Sequence, residues 1–351
     1  MNKIINILKE QKSIPLDKFI KIALYDKRLG YYMKNSPLGK NGDFITSPLI
    51  SRLFGEMIAI WCVSFWKSLN KPQKVVLVEL GPGNGILCDD LLRSFKHFKH
   101  FYNSLEINLL EKSYNLKKIQ KEKIRNNKVK WIKNIKNIKK GPIIFISNEF
   151  FDALPIKQFC QKNGLIYERH VTLSKKDKKI KFIIKKANKN LVRNIKKLDL
   201  ISNGTIIEYP KETIEYLEII SKKINELGGG FLTFDYGDRN NNTLQSIKNH
   251  KHVNILSHAG SADISSHVNF RIFSKIFSKN KLNVEKLTTQ SKFLQKLGVL
   301  ERANIMSKKV SFKTKADMFY RLKRLIDPNE MGGHFKVFFA KKKGKKFNLG
   351  F

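Results

Sequence analysis

Three glycines within five positions, Gly81, Gly83 and Gly85 in "VELGPGNG", follow an apolar run whose one charged member is Glu79. Glycine tolerates positive φ in a tight turn and lets a ligand approach the backbone. After the first strand of a doubly wound sheet, such a turn lies at the carboxyl ends of the strands, where ligands bind. The pattern is G-P-G-N-G, with the third glycine one position early for the pyrophosphate-binding G-x-G-x-x-G, and the Lys-Ser/Thr of a P-loop is absent. Phosphate-bearing nucleotides therefore fit poorly. The next apolar run ends in "INLLEKS", which puts Glu111 at a strand tip, where a carboxylate can take both hydroxyls of a ribose. A nucleoside without phosphates, S-adenosylmethionine, suits the combination, because its cationic amino-acid end and sulfonium tolerate acidic neighbours such as Glu79. The plain alternative is a tight turn with a solvated glutamate beyond it.

The elements that must hold these residues alternate strand and helix. Strands are expected at 74–80, 105–110, 129–132, 142–148 and 230–237, and helices at 51–69, 86–95, 113–123 and 213–227. Repeated βα units with fully apolar strands imply a parallel sheet covered on both faces. Residues 156–205 interrupt the rhythm and read as antiparallel hairpins around Asn163-Gly164 and the Lys-rich turn at 175–178. "GYYMKNSPLGKNGDFITSP", residues 30–48, reads as a long ordered loop, a kind that is usually functional. "GGHFKVFFAKKK" gives a last strand followed by a basic, frayed tail.

Composition narrows the classes. With 351 residues and 41% hydrophobic content the chain can bury a substantial core, as one large domain or two. Three cysteines without a CxxC pair argue against a disulfide framework or a structural zinc. No stretch reads as a membrane span or a targeting segment. The net charge of +40 invites a nucleic-acid reading, but Lys far outnumbers Arg and the lysines are scattered, as on a solvated face. His250, His252, His258 and His267 lie near one another without acidic or Cys partners at ligand spacing, so no metal is expected.

Nine segments, in order and spanning nearly the whole chain, together resemble the MidA family of SAM-dependent methyltransferases. They are "GYYMKNSPLGKNGDFITSP", "FGEMIAIW", "VELGPGNG", "NEFFDALPIKQF", "GGFLTFDYG", "TLQSIKNHKHV", "ADISSHVNF", "TTQSKFLQKLG" and "MGGHFKVF". The chain departs from the family at Asn84 and Ile86, where Arg and Thr are usual. Mitochondrial members of the family are assembly factors of respiratory complex I, described as protein arginine methyltransferases. The resemblance implies an α/β class I methyltransferase fold, Rossmann-like and doubly wound, with six parallel strands and one antiparallel near the edge. An N-terminal helical and loop extension, 1–70, would close the site. The core, 71–351, would carry substrate-side insertions near 156–205 and 240–282.

The implied reaction is methyl transfer from S-adenosylmethionine to an arginine of a protein, a complex I subunit. Arginine is a hard acceptor, because its guanidinium stays protonated and its lone pair is engaged in resonance. Carboxylates must grip it bidentately, aim one nitrogen at the methyl, and accept the lost proton. "SNEFFDALP" supplies Glu149 first and Asp152 second, with Asn148 beside them. For Asp152 the competing expectation is a helix-capping role. Asp43 and Thr46 would join Glu79, Gly81, Gly83, Gly85 and Glu111 around the cofactor. Tyr31 and Tyr32 would line the same opening or pack on the core. Asp235 would face the site or accept bonds from a turn, and Asp263 and His267 would serve on the substrate side or structurally. Competing expectations are a non-catalytic assembly chaperone, an RNA methyltransferase and, distantly, a NAD-dependent dehydrogenase. The missing presequence favours the bacterial cytoplasm, with the mitochondrial matrix as the alternative.

Overall fold

Apolar runs form strands and amphipathic stretches form helices largely where their periodicity places them, in a computed structural model that describes residues 2–34, 45–201, 206–237, 242–344 and 346–351. Five strands run parallel, in the spatial order Val129–Ile132, Leu105–Leu110, Val75–Leu80, Ile143–Asn148 and Gly229–Tyr236. Phe335–Lys341 pairs antiparallel with the last of them. Beyond it lie two two-residue strands, Asn283–Val284 and Thr288–Thr289, each antiparallel to Phe335–Lys341 and hence aligned with the five. This is the expected sheet with its sixth parallel strand reduced to two short pieces.

Alternation along the strands builds two cores. Leu77, Ile107, Ile144 and Leu232 join Met57 and Trp61 of the helix Arg52–Ser68 and Leu91 of the helix Ile86–Phe95. Val76, Val78, Phe145 and Phe231 join Leu217 and Ile220 of the helix Lys211–Leu227 and Phe273 and Phe277 of the helix Phe270–Lys279. Leu105–Leu110 and Ile143–Asn148 flank Val75–Leu80 on opposite sides. The direction of winding therefore reverses beside Val75–Leu80, and a crevice opens there at the carboxyl ends.

The inserted region is a second, antiparallel sheet. Lys157–Lys162 and Leu165–Leu173 form a hairpin, Ile180–Lys186 continues it, and Ile206–Tyr209 pairs on the other side. Asn163 and Gly164 have φ of 48° and 75°, the doubly left-handed turn that a two-residue hairpin demands. Ser13–Pro15 adds a further strand against Leu165–Leu173. A third apolar cluster then joins Leu8, Phe19 and Leu24 to Ile156, Val171 and Ile264. Lys157 Nζ ties the same parts together, 2.9 Å from Asp17 and 2.6 Å from Glu168.

Two expectations are corrected. The long loop over 30–48 is helical at both ends, Tyr31–Lys34 and Ser47–Ile50, and its middle, with Asp43, lies outside the described residues. The tail is not frayed at its end. Phe347 is buried, Trp61 Nε1 donates to the Leu349 carbonyl at 3.1 Å, and the Phe351 ring packs on Phe293 and Phe339. Apolar residues at 347, 349 and 351 override the charge pattern that precedes them. Among the described residues, no helix is long and apolar enough to cross a membrane.

Candidate active site

At the carboxyl ends of the parallel strands lies a cavity of about 730 Å³. Strand ends contribute Glu79, Asn148 and Tyr236 to its wall, and the turns beyond the strands contribute Gly81, Gly83, Glu111, Glu149 and Asp152. Thr46 completes the predicted set present there, whereas Gly85 is not in the wall.

All three glycines of the turn have positive φ, 63° at Gly81, 55° at Gly83 and 80° at Gly85. A Cβ on Gly81 would stand 2.6 Å from the Phe150 ring, so this glycine lets two site loops touch. Gly85 serves packing instead. A Cβ there would meet Ile124 Cδ1 at 2.9 Å and Gln120 Cγ at 3.3 Å.

Glu79 is buried, and its Oε2 has no hydrogen-bond partner. Burial, helped by the nearby Glu111 charge, pushes its carboxyl up to about 8. Glu111 is better provided for. Its Oε1 accepts from the Ser113 N–H at 2.7 Å and its Oε2 from Gln120 Nε2 at 3.1 Å. Burial still raises its pKa, against those bonds. Beside it, Lys112 pairs with Glu212 at 2.9 Å and lies over the Tyr25 and Tyr216 rings.

On the other side of the switch point, the "NEFFDALP" loop is held from within. Asp235 accepts from the Phe151, Asp152 and Tyr236 N–H groups at 3.1, 3.4 and 3.0 Å, so it is the loop's anchor and not part of the cavity wall. Glu149 sits at φ 51°, and its N–H donates to the Phe234 carbonyl at 2.9 Å. Its Oε1 accepts from Asn148 Nδ2 at 2.8 Å and the Ser47 N–H at 3.4 Å. Burial pushes its carboxyl up to about 7. Asp152 starts no helix, so the capping expectation fails. Its Oδ1 is buried in the cavity wall without a hydrogen-bond partner. Burial, then the charges of Asp235, Glu149 and Asp263, holds its pKa far above the ordinary carboxylate range.

Asp263 and His267 come to the same wall from the strand Asp263–Ser265 and the residues after it, with Tyr25, Tyr32 and His250. Tyr32 hydrogen-bonds Asp263, and Tyr25 Oη donates to the Ala153 carbonyl at 2.9 Å. Tyr31 packs in the core instead. Among the described residues, the wall's Lys and Arg side chains are engaged elsewhere: Lys112 with Glu212, Arg324 Nε 3.9 Å from Glu330, and Lys336 with the Gly333 carbonyl. No group of three or more potential ligand side chains suited to a metal occurs among the described residues.

Sequence reasoning missed Gln120, Trp131 and Tyr25. Gln120 lies in "YNLKKIQKEK", where a polar residue reads as solvent-facing, and only the folded chain brings it under the glycine turn.

Residues 57–288 match the family model described as "Putative S-adenosyl-L-methionine-dependent methyltransferase". The chain is 29% identical over 366 residues to "Protein arginine methyltransferase NDUFAF7, mitochondrial" of Xenopus laevis, covering 96% of this chain and 83% of that protein. It is 27% identical to the protein of the same name from Homo sapiens, over 94% and 80% of the two chains. Its fold matches that of a Burkholderia thailandensis protein crystallised with S-adenosyl-homocysteine, with a TM-score of 0.84 at 19% identity, over 99% and 93% of the two chains.

Proposed function

The chain belongs to this family of S-adenosyl-L-methionine-dependent methyltransferases, and from that premise we propose that its acceptor is an arginine of a partner protein, a subunit of respiratory complex I. The cofactor suits the residues present. Glu111 keeps acceptor capacity toward the cavity for ribose hydroxyls, and Glu79 offers an unpartnered carboxyl oxygen to a cationic group. When bound, the cofactor supplies a methyl already activated by its positive sulfur.

One observation carries the acceptor assignment. Among the described residues, five acidic side chains, Glu79, Glu111, Glu149, Asp152 and Asp263, share one cavity wall, and the Lys and Arg side chains of that wall are paired elsewhere. Buried carboxyls without a counter-cation are costly, and a cationic ligand relieves them. A guanidinium is planar and offers paired donors, which a carboxylate accepts in parallel. Glu149 grips and orients it, with Asn148 Nδ2 and the Ser47 N–H holding Oε1. Near neutrality a carboxyl at about 7 is poised to take the proton that the acceptor nitrogen loses. Asp152 and Asp263 complete the acidic wall. The names of the relatives support a mitochondrial matrix setting, with the bacterial cytoplasm as the alternative.

The test is Glu149→Gln in cells and in solution. Methylarginine on a complex I subunit should vanish, while calorimetric affinity for S-adenosylmethionine stays within about threefold, because an amide is a near-isostere that cannot take the proton. Methylarginine that persists beside normal cofactor binding would remove Glu149 from the reaction. Complex I assembly that survives the loss of methylation would favour the chaperone reading.

A further inference from the structure

Gln120 is fully buried in the helix Tyr114–Lys123. Each of its polar atoms is used. Nε2 donates to the Gly83 carbonyl at 2.7 Å and to Glu111 Oε2 at 3.1 Å, and Oε1 accepts from Trp131 Nε1 at 2.8 Å. The amide has only one orientation that satisfies these partners, since an indole N–H only donates and a backbone carbonyl only accepts. Gly85, with no Cβ, lets this helix approach the glycine turn. Trp131 is the third residue of the strand Val129–Ile132, next to the strand that ends before Glu111. Three separate stretches of chain, the glycine turn, the residues after Leu105–Leu110 and the strand Val129–Ile132, thus meet on one side chain.

We infer that Gln120, oriented by Trp131, is a positioning residue that fixes the Glu111 carboxylate against the glycine turn and so makes the site select a ribose over a deoxyribose. A carboxylate free to rotate would gain less from a second hydroxyl, because part of the gain is lost in ordering it. Here Glu111 is held at both oxygens, by the Ser113 N–H on Oε1 and Gln120 on Oε2. Its remaining acceptor capacity points in set directions before any ligand arrives. Trp131 contributes without a place in the cavity wall.

The inference rests on the nucleoside cofactor proposed above, and the experiment separates the two. Calorimetry would measure S-adenosylhomocysteine and its 2′-deoxyadenosyl analogue against the intact protein, Gln120→Leu and Trp131→Phe. The unaltered protein should prefer the ribose form by roughly tenfold or more, the worth of a hydrogen bond to a charged group. In Gln120→Leu the ribose form should weaken by about tenfold and the deoxy form barely, so that the ratio collapses. Trp131→Phe keeps an aromatic ring, though a smaller one, and loses the N–H, and should shift the ratio the same way by less. It also carries the test alone if Gln120→Leu does not fold. Equal weakening of both ligands in the variants would make Gln120 a packing residue and overturn the inference, as would an unchanged ratio. An unaltered protein that binds neither ligand would overturn the cofactor reading itself.

Discussion

Glu79, one residue from the end of a fully buried strand, has a carboxyl oxygen with no partner, and its pKa stands at about 8 against an ordinary 4.5. A raised carboxyl pKa means the folded state holds the proton more tightly than the unfolded state. That contribution to stability is complete below about 4.5 and is lost as pH rises through about 8. A cationic cofactor prefers the ionised form, so its affinity should rise by up to about tenfold per pH unit from pH 6 and level off above about 8. Calorimetry at pH 7 in buffers of different ionisation enthalpy should show proton release on binding, and Glu79→Gln should abolish both effects. An affinity flat from pH 6 to 8 would mean that no cation sits by Glu79. At this scale, acidic residues at strand tips were legible, because a strand's end and its last side chain can be read from an apolar run. Glu79, Glu111, Asn148 and Glu149 all stand where that logic puts them. Asp235, read from the end of its apolar strand as facing the site or accepting bonds from a turn, takes the second role, whereas Gln120 acts through partners on three other stretches of chain, and no local pattern announces it.

Glycine turns divide into two kinds in this structure, and the difference is measurable. Gly81 and Gly164 both have positive φ, 63° and 75°. At Gly164 a Cβ would meet nothing within 4 Å, so Gly164→Ala should cost only the left-handed strain, about 1 kcal/mol. At Gly81 the same Cβ would press on Phe150 at 2.6 Å, next to Glu149. Gly81→Ala should therefore cost about 2 kcal/mol or more and weaken cofactor binding by at least about tenfold, while Gly164→Ala leaves binding unchanged. Urea unfolding and calorimetry on the two variants decide the matter, and equal effects would mean that Phe150 yields freely. Elements with strong signals were read almost to the residue. The helix Ile86–Phe95 and the strand Leu105–Leu110 match their expected bounds, and the 163–164 hairpin has the turn its Asn-Gly pair predicts. The two-residue strands Asn283–Val284 and Thr288–Thr289 were not legible, because such pieces exist only by pairing with Phe335–Lys341.

Across the whole molecule, distant segments close the structure. Phe347 is buried, the Phe351 ring lies against Phe293 at 5.5 Å, and the Leu349 carbonyl takes the Trp61 N–H. Removing residues 347–351 strips apolar cover from the core and leaves that indole N–H unpaired. The deletion should cost on the order of 5 kcal/mol, seen as a lower urea midpoint, whereas removing the tail's lysine charges by Lys342→Gln and Lys343→Gln should change stability by less than about 1 kcal/mol. A deletion without effect would mean the docked tail adds nothing. The layered α/β plan was legible from the alternation of apolar strands and amphipathic helices. The tail was not, since three apolar residues after a basic run carry no periodicity. The pairing of Ser13–Pro15 with Leu165–Leu173, and of Asp17 with Lys157, 140 residues later, also sets a timetable. At about 5–20 residues per second of synthesis, the segment bearing Leu16, Phe19 and Leu24 waits roughly 7–30 s at the ribosome before Lys157 exists. During that interval its apolar face lacks the cover that Ile156, Val171 and Ile264 supply in the folded protein, and a holding chaperone has its best opportunity to act on this chain.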